Sequence, residues 1–250
     1  MPCSDTAAVR TESTLFDHRL SMILSATVIP LRAGPLRLCE NPPSPSKRRM
    51  KPEELLTHAN TTVIFLVAVA VEGGLFVVAL VLGAVLDVNP TARLAGAHWS
   101  SVAWGAAAGL PPALAVMLAL HRRSEFAWRL LEGAREPIKG LLQLAPWQLA
   151  VLAMVSGLTE EALFRGVLQI ATTDALSAWP NHPSADVCGI GVGALLFGFA
   201  HPVSRAYVVV GALFGVWMGV LLLLDGNLLA PMVAHAAYDL MLMLYLKRTW

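Results

Sequence analysis

Charge is what this sequence has least of. Lys, Arg, Asp and Glu make up only 14% of its 250 residues, where a soluble domain carries about 25%. With 56% hydrophobic residues and a mean hydropathy of +0.62, the chain falls outside the soluble globular class. It reads as all-α, a polytopic transmembrane helical bundle. The net charge of +1, with no basic, aromatic-rich face, gives no reason to expect nucleic acid as a partner. Cysteine is scarce and odd in number; Cys3, Cys39 and Cys188 fit neither a disulfide framework nor a metal-site spacing. A serine-centred nucleophile elbow is missing, and so is His-Glu-x-x-His. Acyl-enzyme chemistry therefore has no obvious nucleophile.

What is present is a series of long apolar runs. Residues 1–52 stand apart from them, mixing Ser, Thr, Pro and Arg up to Asn41-Pro-Pro-Ser-Pro-Ser-Lys-Arg-Arg49. Their one apolar piece, Leu20 to Leu31, is too short to span a bilayer. This segment is expected to be disordered or to precede the true start, with Met50 as a plausible beginning. The remainder, 53–250, is expected to form one transmembrane domain of about six spans: 61–88, 97–120, 141–170, 187–200, 203–224 and 228–246. Glu72, before Gly73 and Gly74 in the first span, either lines a polar cavity or hydrogen-bonds a neighbouring helix. Gly109-Leu-Pro-Pro112 predicts a kink or break in the second, because proline removes a donor and clashes with the preceding turn. His121 to Lys139 is amphipathic and basic, as for an interfacial helix, and 172–186 reads as a polar loop. Gly211, Gly215 and Gly219 repeat every four residues, which favours close helix approach. Asp225-Gly226-Asn227 reads as a tight turn.

Basic residues predict the orientation. Lys47, Arg48, Arg49 and Lys51 precede the first span, and Arg122, Arg123, Arg129, Arg135 and Lys139 follow the second. Arg205 follows the fourth, and Lys247 and Arg248 the sixth, against Arg93 alone on the other side. The positive-inside rule then puts both termini in the cytoplasm, in a protein integral to the cell (inner) membrane.

Against this apolar background the third span carries Thr159-Glu160-Glu161-Ala162-Leu163-Phe164-Arg165. Ionisable groups at bilayer depth are costly, roughly 2.5 to 3.5 kcal/mol each on insertion scales, and usually mark function. Glu161 and Arg165 are four apart in the favourable order for an ion pair, which leaves Glu160, about 100° round the helix, for another partner. Phe197 shares a face with His201, and His235 with Asp239. A carboxylate beside a histidine can take a proton from water for attack on a carbonyl, while a second donor group holds the oxyanion. The separated histidines and carboxylates could also bind zinc, since two His and one Glu form a known catalytic set. No zinc or other cofactor is the favoured expectation.

Glu160-Glu161-x-x-x-Arg165, Phe197-x-x-x-His201 and His235-x-x-x-Asp239, in that order, resemble the motifs of the CPBP family, the CAAX proteases and bacteriocin-processing enzymes that include the type II CAAX prenyl endopeptidases. The resemblance covers about residues 140–246. It implies a helical membrane bundle whose site opens toward the cytoplasmic leaflet, and an intramembrane glutamic endopeptidase activity. It further implies that Glu160 and His201 activate water, that His235 and Asp239 hold the oxyanion, and that Glu161 and Arg165 support the site. Two departures stand out. Position 239 is Asp where the prenyl endopeptidases have Asn, so Asp239 either donates to the oxyanion when protonated or orients His235. The six spans are also fewer than theirs. The expected partners are the bilayer and a membrane-associated peptide or lipidated, CAAX-like protein. A non-catalytic binding or immunity protein using the same cavity is the rival; a proton transporter ranks lower, because the sequence shows no inverted repeat.

Overall fold

The computed structural model describes residues 52–132, 134–179 and 184–249. The expectation for residues 1–52 therefore lies outside the described residues, apart from Pro52, which opens the first helix. The described chain is all helical: α1 (Pro52–Leu86), α2 (Trp99–His121), α3 (Glu125–Glu132), α4 (Arg135–Leu142), α5 (Pro146–Leu163), α6 (Ile170–Ser177), α7 (Ala185–Ala200), α8 (Arg205–Asp225) and α9 (Leu229–Thr249). A π-helical segment, Phe164–Gln169, joins α5 to α6, and a short 3-10 turn, Ala92–Leu94, lies between α1 and α2. By length and composition α1 (from Asn60), α2, α8 and α9 are able to cross a membrane. Of the other two expected spans, α7 is apolar but only 16 residues long, and α5 carries the acidic pair. With its exposed Val and Leu side chains, this is an integral membrane protein built as a helical bundle.

α9 is the central packing element, lying against α2 and α5, while α7 pairs with α8 and α1 covers α5. Small residues set these distances. A Cβ on Gly105 or Gly109 of α2 would come within 2.4 or 2.5 Å of the Ala230 or Ala234 carbonyl of α9. On Gly215 of α8 it would come 2.7 Å from the Ala194 Cα of α7. The glycine repeat in α8 thus does what its spacing predicts.

Several local expectations need correction. α2 is not broken at Pro111-Pro112 but runs through them. Pro112 cannot donate to the carbonyl four residues back, Ala108 O, and Trp217 Nε1 of α8 donates to that oxygen at 3.0 Å instead. The third span begins at Pro146 rather than 141, because Pro146 forces Ala145 into an extended conformation (ψ 153°). At its other end the helix continues past 172 to Ser177, so the first six residues of the expected polar loop are helical. Thr172 Oγ1 satisfies itself on Leu168 O at 2.8 Å. Finally, the basic amphipathic stretch forms two short helices, α3 and α4. Leu120, Ala127, Leu131 and Leu246 form one cluster that seats α3 on the ends of α2 and α9, and Lys247 Nζ donates to Leu142 O at 2.5 Å. At the other end of the bundle the Asp225–Asn227 turn, with Gly226 at φ 71°, is tied to the α1–α2 connection. There Leu228 N donates to Arg93 O at 2.9 Å.

Candidate active site

The six sequence-predicted residues converge on α5, its π-helical extension, and the facing parts of α7 and α9. They do so in two layers, one dry and one lining a cavity. In the dry layer Arg165 and Glu161 are each 0% exposed. Arg165 Nη1 donates to Glu161 Oε1 at 2.9 Å, and Nη2 to Gly215 O at 3.1 Å. The guanidinium carbon lies 4.6 Å from the centroid of the Phe197 ring, a cation–π contact shielded from water. The π-helical turns place Arg165 and Gln169 on the α8 side together, and Gln169 Nε2 reaches Gly219 O at 3.3 Å. His235 joins this layer from α9: it is 3% exposed, with Nδ1 2.8 Å from Glu161 Oε1. One glutamate oxygen thus gathers a guanidinium and an imidazole from two different helices.

The cavity layer lies one helical step away. A cavity of about 430 Å³ is lined by Glu72, Ser156, Glu160, His201, His235 and Asp239 among a larger apolar set. Glu160, 6% exposed, has Oε2 3.8 Å from His201 Nε2 and without a hydrogen-bond partner among the described residues. His201 sits where α7 ends, because Pro202 cannot continue the helix. Its own N–H turns to Gly198 O at 3.1 Å, and its ring Nδ1 lies 2.9 Å from Phe197 O. A carbonyl oxygen only accepts, so Nδ1 carries the proton and Nε2 is left facing Glu160. His235 Nε2 and Asp239 Oδ2 are 3.5 Å apart. Phe197 itself is buried packing, its ring 4.7 Å from that of His201 and 5.8 Å from that of His235.

Three polar residues of the site did not stand out in the sequence motifs. Ser156 Oγ lies 3.2 Å from Glu160 Oε1 and 3.3 Å from Asp239 Oδ2, so its single proton serves one carboxylate at a time. Thr159 Oγ1 donates to Glu72 Oε2 at 3.0 Å. Glu72 therefore does both things open to it, hydrogen-bonding α5 and lining the cavity. Tyr207 of α8 lines the same cavity. Of these, Ser156 carried a legible signal, standing four residues before Glu160 on one helical face.

Fold and site together define a membrane-embedded protein in which carboxylates and histidines from separate helices meet in one largely apolar cavity. Residues 142–241, which hold every one of the six predicted site residues, match the family described as Type II CAAX prenyl endopeptidase Rce1-like. No curated protein and no solved structure matches the chain. The family points to membrane endopeptidase activity.

Proposed function

We propose that this protein is an intramembrane glutamic endopeptidase in which Glu160 and His201 activate the attacking water. The observation that carries this reading is the pair of groups facing one another across 3.8 Å, both lining the cavity. That gap suits one water oxygen placed about 2.8 Å from each. The water donates one hydrogen to Glu160 Oε2 and the other to His201 Nε2, whose lone pair is left open by the Nδ1 bond to Phe197 O. As the oxygen attacks the peptide carbonyl carbon, Glu160 takes the proton, and the carbonyl oxygen becomes an oxyanion. His235, in its imidazolium form, donates from Nδ1 to Glu161 and presents Nε2–H to that oxyanion. A protonated Asp239 adds a second donor. When the tetrahedral intermediate collapses, Glu160 returns its proton to the leaving amine, giving a carboxylic acid and an amine.

Arg165 and Glu161 support this chemistry from behind, by fixing His235. The reaction is written without zinc or another cofactor. Among the described residues no three His, Cys, Asp or Glu side chains are grouped so as to hold a metal ion. A zinc-dependent variant of the mechanism would be stopped by a chelator.

The substrate is a membrane-associated peptide or lipidated protein, and both termini lie in the cytoplasm of a cell whose inner membrane holds the bundle. Packing supports the orientation. The α3–α4 pair with its arginines and the Lys247 end of α9 share one end of the bundle, whereas Arg93 lies at the other. The test compares peptide termini in membranes carrying the wild-type chain or Glu160→Gln at matched levels. New termini only with wild type are expected. Equal termini from two folded proteins would replace this reading with a non-catalytic binding protein.

A further inference from the structure

We propose that Glu72 selects the substrate, its carboxylate receiving a cationic group, an ammonium or guanidinium, that the peptide carries near the cleaved bond. This rests on the peptidase reading above. Glu72 lies on α1, outside the family-matched residues, on the helix that faces lipid most. Val63, Leu66, Val67, Val71 and Val77 of α1 are each more than 55% exposed. An acid on such a helix is costly unless it faces a polar region, and Glu72 turns to the cavity.

Three carboxyl groups line that cavity: Glu72, Glu160 and Asp239. Two have a basic neighbour, Glu160 with His201 at 3.8 Å and Asp239 with His235 at 3.5 Å. Glu72 has no basic group in ion-pair range among the described residues, and a neutral hydroxyl on one of its oxygens is its one described hydrogen bond. The Arg165 charge is held in the dry layer by Glu161. A second observation points the same way: Glu160 Oε2, nine-tenths buried, is turned to the same space without a hydrogen-bond partner. A cleft with an excess of one sign attracts the opposite charge, and its low-dielectric walls strengthen the attraction. Those walls are Leu141, Leu152, Ile138 and Met243 among others. The substrate chemistry that fits is therefore an apolar segment bearing one positive group.

The full-length chain carrying Glu160→Gln, so that bound peptide is not consumed, would be placed in lipid nanodiscs. It would be titrated with pairs of short Leu/Ala peptides differing only in lysine against acetyl-lysine, the lysine walked along the peptide. One position should favour lysine by about tenfold or more, the size of one hydrogen bond to a charged group. Adding Glu72→Gln, which keeps an amide oxygen for Thr159, should reduce that ratio to within about twofold. Thr159→Val breaks the same hydrogen bond but leaves the carboxylate, so the preference should survive it. No lysine preference at any position overturns the assignment, as does a preference that survives Glu72→Gln, or equal loss in Glu72→Gln and Thr159→Val. The wild-type chain with the same peptides reports cleavage separately. Preference without cleavage would sink the peptidase reading alone, and cleavage without preference would sink the Glu72 assignment alone.

Discussion

Glu160 and Glu161 are neighbours in the chain and belong to different regions of the molecule. Glu161 is sealed in a dry layer with Arg165, and one of its oxygens is held twice, by Arg165 and by His235. Glu160 opens to a cavity of about 430 Å³, where its nearest basic partner stands at 3.8 Å. The same side chain, turned about 100° round one helix, is an ion-pair partner in one place and, in the proposed mechanism, the reactive group in the other. Burial decides which. A dry charge must be paired closely to be tolerated at all, whereas a charge at a cavity wall can stay loosely partnered and free to move a proton.

This comparison makes different demands on the two layers. Breaking the dry layer should have the largest effect. Arg165→Ala leaves Glu161 buried without its guanidinium and should destabilise the bundle by about 3–5 kcal/mol. Melting in detergent or lipid would measure this, and a wild-type midpoint would mean that the ion pair does not anchor the fold. Glu160→Gln should do the opposite. Peptide cleavage should fall by about 10²- to 10⁴-fold, the usual contribution of a general base, while the melting midpoint stays near wild type. A variant that melts early would erase the distinction between the two layers.

Smaller effects sharpen the same contrast. Gly215→Ala forces a Cβ to 2.7 Å from Ala194 Cα. It should cost about 1–3 kcal/mol as α7 and α8 are pushed apart, and it should weaken the dry layer in particular, because Arg165 bonds the Gly215 carbonyl. Unchanged stability would mean that the helix pair yields without cost. The smallest effect belongs to Trp217→Phe, which removes the donor to Ala108 O and should cost about 1 kcal/mol. In a Pro112→Ala background that cost should shrink, because residue 112 regains its own N–H. An equal cost in both backgrounds would show that Trp217 does not compensate for the proline.

Much of this was legible without coordinates, where the signal was local. The Glu161–Arg165 pair follows from an i,i+4 spacing, and so does the separation of Glu160 from it. His201-Pro202 marks a helix end, and the glycines of α8 mark a close helix contact. Errors came where a local rule met a distant partner. Pro111-Pro112 reads as a kink or break, yet the helix is unbroken there, and Trp217, more than a hundred residues later, supplies the missing donor. The amphipathic stretch after α2 reads as one surface helix, yet it forms two, seated on the ends of α2 and α9 by Leu120 and Leu246.

The sequence by itself determined that the chain is a helical membrane protein, roughly where its apolar helices lie, and which polar side chains have no business facing lipid. Those conclusions rest on hydropathy, helical period and backbone chemistry, all of which act within a few turns of one helix. Only the tertiary structure decided that Glu161 holds His235 from 74 residues away, that Ser156 stands between Glu160 and Asp239, and that Glu72 turns from the lipid to the cavity. Packing angles between helices set these meetings, and helix periodicity fixes a face without naming the face opposite.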